Sequence, residues 1–102
     1  MLLLAQILVA LVALLHVYIL VLEMFLWTKP QGLRTFRNTP EKAETTRVLA
    51  ANQGLYNGFL AAGLFWGLFT AQWNVVVFFL SCVIVAALAA VLYVVMMDAI
   101  SR

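Results

Sequence analysis

The chain has 102 residues, of which 67% are hydrophobic and 10% charged, with a formal net charge of +2. Soluble domains average about 45–50% apolar and about 25% charged residues, so this composition excludes a water-exposed globule and reads as an integral membrane protein. Six basic residues are too few to build a nucleic-acid surface, and a single cysteine, Cys82, excludes an intramolecular disulfide and a cysteine metal cluster.

The first apolar segment, Leu2 to Trp27, exceeds the ~20 residues that carry a helix across about 30 Å of hydrocarbon. It has no basic start and no small-residue cleavage pattern before Thr28, so it reads as a retained helix over about residues 2–27 rather than a signal sequence. His16 and Glu23 interrupt it. Seven residues apart on a helix, they differ by only about 20° in direction and share a stripe with Leu20 and Trp27. Ionisable groups inside a membrane helix face a bundle interior or a cavity, which makes this stripe a candidate site surface.

A basic connection follows over residues 28–39. Lys29, Arg34, Arg37, Lys42 and Arg47 outnumber Glu41 and Glu44 in this region, which marks the loop as cytoplasmic. The run Lys29-Pro30-Gln31-Gly32 predicts a turn, with proline ending the first helix and glycine free to take positive φ. The next helix starts either in a capping box, Asn38 with Glu41, or with Thr39 as cap and Pro40 at its first position. It is expected over about residues 40–70, projecting about two turns into the cytoplasm before its apolar part begins at Val48.

That second apolar segment carries Asn52-Gln53-Gly54-Leu55-Tyr56-Asn57-Gly58 in its first half. Three carboxamides and a phenol are costly to bury in hydrocarbon without partners, so they point to a helix interface or a ligand. Gly54, Gly58, Gly63 and Gly67 form two Gly-x-x-x-Gly spacings, which permit close helix packing within the chain or between copies. The uncharged link Ala71-Gln72-Trp73-Asn74 leads to a third apolar helix over about residues 74–98. With three spans the N-terminus lies outside, and the C-terminus with Arg102 lies on the side of the basic loop. Cys82 and Ser81 read as ordinary residues of this helix, Ser81 bonding back to its own backbone.

Counting inward from Lys29 and Arg47 at about 1.5 Å per residue places Glu23 ~9 Å deep, level with Asn52 and Gln53. His16 lies near ~20 Å and Asn57 near ~15 Å. The expectation is an antiparallel pair of the first and second helices, closed at Gly54 and Gly58.

The runs Leu20-Val21-Leu22-Glu23-Met24-Phe25-Leu26-Trp27 and Leu49 to Leu64, joined by a basic loop, closely resemble the small bacterial membrane proteins catalogued as domain of unknown function 1304. The resemblance extends over about the first 85 residues, through Phe78 to Val85, and implies a helical, membrane-embedded protein of unassigned activity. Members typically carry glutamate directly before the histidine, where this chain has Leu15. They also usually continue into a fourth hydrophobic helix, so the chain reads as a truncated or divergent member.

The expected fold is therefore all-α, a single-domain, up-down-up bundle of three transmembrane helices in the bacterial cytoplasmic (inner) membrane. The expected function is binding or transport of a small polar solute, proton or lipid headgroup through a cleft lined by Glu23, His16, Asn52, Gln53, Tyr56 and Asn57. Three helices make a thin wall, so a pathway implies a homo-oligomer. One alternative is a structural or partner-binding subunit whose polar residues only set packing. Another is an intramembrane lipid-modifying enzyme using Glu23 and His16. These two lie about 10 Å apart along one helix, too far for a dyad, and no nucleophile motif, metal set or phosphate loop accompanies them. That weighs against an enzyme, and neither cofactor nor metal is expected.

Overall fold

The computed structural model describes residues 2–102, which form four helices: α1 (Leu3–Met24), α2 (Pro30–Thr35), α3 (Pro40–Phe69) and α4 (Trp73–Ser101). No strand occurs among the described residues. Helices α1 and α4 are long and apolar enough to cross a membrane, whereas α3 is not, so two helices rather than three meet that standard. The difference is physical. Charged residues fill the first two turns of α3, and Asn52, Gln53, Tyr56 and Asn57 dilute its apolar half.

Helix α1 stops at Met24, short of the expected Trp27, where the Phe25 N–H still bonds Val21 O. The segment after it is not a simple turn. Pro30 opens α2, where its fixed φ suits the first helical position and its missing N–H costs nothing. Gly32 does not take positive φ. Its requirement is space, because a Cβ there would overlap the Leu26 carbonyl. The left-handed residue is Arg37 (φ 51°), which closes α2 with Asn38 N–H to Leu33 O at 2.9 Å and Arg37 N–H to Arg34 O at 3.3 Å. These 6→1 and 5→2 bonds make a Schellman ending on a residue other than glycine.

The α3 start uses the second of the two expected caps. Thr39 Oγ1 accepts from the Lys42 N–H at 3.3 Å, Pro40 is the first helical residue, and Asn38 Oδ1 accepts from the Thr39 N–H at 3.0 Å. At its far end α3 repeats the Schellman pattern, with Ala71 left-handed (φ 54°), Gln72 N–H bonded to Gly67 O at 2.9 Å and Ala71 N–H to Leu68 O at 3.2 Å. This tight reversal starts α4 one residue earlier than expected, at Trp73.

Helix α3 is the central element. Its glycines are divided between two neighbours: a Cβ on Gly54 would come within 2.5 Å of Met24 Cγ and 3.2 Å of Leu20 O, and one on Gly58 within 2.6 Å of Leu20 Cδ1, all on α1. Gly63 instead lies under the Phe79 ring, and a Cβ on Gly67 would come within 2.6 Å of Val76 Cγ2 and 2.9 Å of its backbone nitrogen, both on α4. Pairing Leu20 and Met24 with Gly54, and Val9 and Ala13 with Leu64, makes α1 and α3 antiparallel. Val9, Ala13, Leu64 and Val76 form the buried core shared by α1, α3 and α4, flanked by Val12, Phe65, Leu68, Phe79 and Leu80. This core sits at the end of the bundle remote from α2. Towards the other end α4 separates, and every residue from Ile84 onward is exposed.

Candidate functional site

At the α2 end, α1 and α3 still touch, and the polar residues of both helices meet there. Asn57 Nδ2 donates to Glu23 Oε1 at 2.6 Å and to Gln53 O at 3.1 Å. Sequence depth puts Glu23 level with Asn52 and Gln53, but its partner is one turn farther along α3. Helical side chains lean toward the N-terminus of their own helix, and in an antiparallel pair the two lean toward each other. Both N–H groups of the Asn57 carboxamide are thus consumed inside the chain, and no protein donor among the described residues reaches Glu23 Oε2.

His16 is buried one helix segment deeper, at 9% exposure. Its Nδ1 lies 2.8 Å from Val12 O, a bond the Nδ1–H tautomer donates to the preceding turn. The imidazole does not line the cavity beside Glu23. The stripe it shares with Glu23 on α1 therefore continues into the core rather than along a polar path.

Beside the Glu23–Asn57 contact a cavity of about 430 Å³ opens between the end of α1, the α2–α3 connection and the first half of α3. Glu23 and Gln53 line its inner end, and Lys42, Thr45 and Asn38 its outer end. Trp27, Thr46, Leu49 and Ala50 form the walls between. Trp27 is fixed there by two contacts: its Nε1–H donates to Thr46 Oγ1 at 3.1 Å, and the indole packs on Phe36 with centroids 5.0 Å apart; Thr46 Oγ1 in turn donates to Lys42 O at 2.6 Å. Gln53 precedes Asn57 by one turn and lies eleven residues beyond Lys42, so the cleft runs about 16 Å along α3.

Charge in the cleft is not compensated within the chain. Arg47 pairs with Glu44 at 3.6 Å and Arg102 with Asp98 at 3.0 Å, both on the surface, while among the described residues neither Glu23 nor Lys42 has an ion-pair partner within 4.0 Å. The site can therefore accept a donor or cation at Glu23 and an acceptor or anion at Lys42. The Thr45 and Thr46 hydroxyls already donate to Lys42 O and can add only acceptors, while the amides of Asn38 and Gln53 add both kinds of hydrogen bond.

Of the sequence candidates, Glu23 and Gln53 line this cavity, and Asn57 holds Glu23 from behind. Asn52 and Tyr56 lie elsewhere, exposed on another face of α3, where Tyr56 packs edge-on against Phe59 at 6.0 Å. Sequence reasoning missed the outer half of the site. Asn38, Lys42, Thr45 and Thr46 look like ordinary residues of a solvated helix start, and no local pattern shows that Trp27, just beyond α1, folds back over them. A second cavity, about 380 Å³, lies along α4 beside Phe78, Ser81, Cys82 and Val85. It is apolar, and its Ser81 hydroxyl is already donated to Val77 O at 2.8 Å.

The family DUF1304, described as protein of unknown function, matches residues 10–100. The chain belongs to this family. The match takes in every residue of the cleft and most of α4, farther than the first 85 residues that carry the sequence resemblance. No curated protein and no solved structure matches the chain.

Proposed function

We propose that this DUF1304 protein is a small multi-pass membrane protein that binds a small polar solute or lipid headgroup in the cleft between α1 and α3. The observation that carries this reading is the cavity itself, in which Glu23 and Lys42 stand at opposite ends without ion-pair partners. In this reading α3 is the third span. It packs on both apolar helices, and Asn57, one of the residues that lower its hydropathy, is satisfied by Glu23 and by its own backbone. The N-terminus then lies outside, the basic α2 region and the C-terminus lie in the cytoplasm of a bacterial inner membrane, and the cleft opens at the cytoplasmic interface. Trp27 and Lys42 suit that depth, where indoles and lysines anchor to headgroups.

Retention of lipid by the purified protein tests the reading. In native mass spectra recorded from mild detergent with added phosphatidylethanolamine or phosphatidylglycerol, wild type should retain one lipid. A Glu23→Gln, Lys42→Ala double variant should lose it. Free glycerophosphoethanolamine added in place of lipid distinguishes a soluble ligand from a membrane one. Equal retention by wild type and variant contradicts a ligand role for the cleft.

A second reading, a structural subunit whose polar groups only fix helix register, is favoured by the closed bonds of Asn57 and His16. Under it Asn57→Leu alters stability and assembly, and no ligand protects wild type more than the variant.

A further inference from the structure

The face of α3 that packs on α4 does not end where α4 leaves it. At 100° per residue, Gly67 and Gly63, which touch α4, fall within about 60° of Tyr56, Asn52 and Leu49. The upper part of this stripe is covered by Val76 and Phe79. Its lower part is bare: Tyr56 is 56% exposed, Leu49 67%, and Asn52 is exposed between them. Among the described residues neither the Asn52 carboxamide nor the Tyr56 hydroxyl makes a side-chain hydrogen bond, and apolar Phe59, 54% exposed, flanks them. A carboxamide and a phenol in hydrocarbon require donors and acceptors that acyl chains lack.

We propose that this stripe of α3 is a homodimer interface, in which Asn52 and Tyr56 of two copies meet across a two-fold axis. A carboxamide is both donor and acceptor, so under two-fold symmetry each Asn52 donates to the other and accepts from it, with no second kind of partner needed. The phenol is self-complementary in the same way. Leu49 and Phe59 supply apolar contact above and below, and the surface continues the glycine-lined α3–α4 interface instead of starting a new one. Gly54 and Gly58 are unavailable for this role because Leu20 and Met24 already occupy them. The interface rests on the reading of α3 as a membrane span; Asn52, Tyr56 and Phe59 lie outside the cleft, and the interface borders it only at Leu49, which also forms part of the cleft wall.

Oxidative cross-linking of the full chain in membranes tests the proposal. On a Cys82→Ala background, Asn52→Cys should form a disulfide-linked dimer, and Leu14→Cys and Val91→Cys, at exposed positions on α1 and α4, should remain monomeric. Absence of the dimer at position 52, or equal dimer at all three positions, overturns the interface. Without cross-linking, Asn52→Leu with Tyr56→Phe should convert a dimer in mild detergent to monomer. A retained dimer overturns the proposal as well. Reaction of the reduced Asn52→Cys protein with a membrane-impermeant maleimide reports separately on the span. Free labelling from water removes the span and the interface with it, whereas blocked labelling without a cross-linked dimer leaves the span standing and removes the interface alone.

Discussion

Asn57 is the residue on which the inner end of the cleft depends, because its carboxamide ties Glu23 on α1 to the backbone of Gln53 on α3. Replacing it with leucine removes the donor and leaves a partly buried carboxylate without its protein partner, a loss of about 1–3 kcal/mol. Thermal unfolding in detergent should show a clearly lower midpoint for Asn57→Leu, and Asn57→Gln, which keeps the amide, should recover part of it. An opposite effect is expected at Ala71. It sits left-handed at the α3 end, a conformation that costs an L-residue roughly 1–2 kcal/mol. Ala71→Gly should therefore raise the unfolding midpoint, because that relief exceeds the ~0.4–1 kcal/mol lost to the added flexibility of the unfolded chain. Thr39, whose hydroxyl caps α3, gives the complementary test, with Thr39→Ala expected to lose about 1 kcal/mol.

At the scale of elements, α3 is held by close approach on two sides. The glycines are not equivalent. Around Gly58 only the tip of the Leu20 side chain must give way to a Cβ, whereas at Gly67 the obstacle includes the Val76 backbone nitrogen and Gln72 O. Gly67→Ala should therefore destabilise the fold more than Gly58→Ala, a ranking that unfolding midpoints of the two variants check directly. The antiparallel approach of α1 and α3 is legible in the sequence, since Gly54 and Gly58 adjoin the polar residues that need a partner helix. Helix α2 is not legible. Six residues are too few to display a 3.6-residue period, and Lys29-Pro30-Gln31-Gly32 is equally good turn chemistry; only the missing space at Leu26 explains why Gly32 is needed. The start of α3 is legible down to two alternatives, and the bond from Lys42 selects Thr39.

For the molecule as a whole, polarity is concentrated at one end. The shared core of Val9, Ala13, Leu64 and Val76 lies at the other, and Lys42 is the basic residue that lines the cleft. Hydrophobic content points to a membrane chain, and two helices are long and apolar enough to cross one; of the three α3 carboxamides, Gln53 lines the cavity, Asn57 holds Glu23 and Asn52 faces elsewhere. The outer half depends on Trp27 folding back over Thr46, a tertiary contact between residues nineteen apart that no local pattern encodes. The separation of α4 beyond Val83 is likewise absent from the sequence, because that helix is apolar on all sides and favours no face. The most direct test of the cleft is nuclear Overhauser contact in lipid nanodiscs. Protons of a phosphatidylethanolamine headgroup or of glycerophosphoethanolamine should show cross-peaks to the Trp27 indole Nε1–H and the Gln53 side-chain amide, and these should vanish in Glu23→Gln, Lys42→Ala. Cross-peaks from those two groups to water and acyl chains alone, unchanged in the variant, would contradict a binding site between α1 and α3.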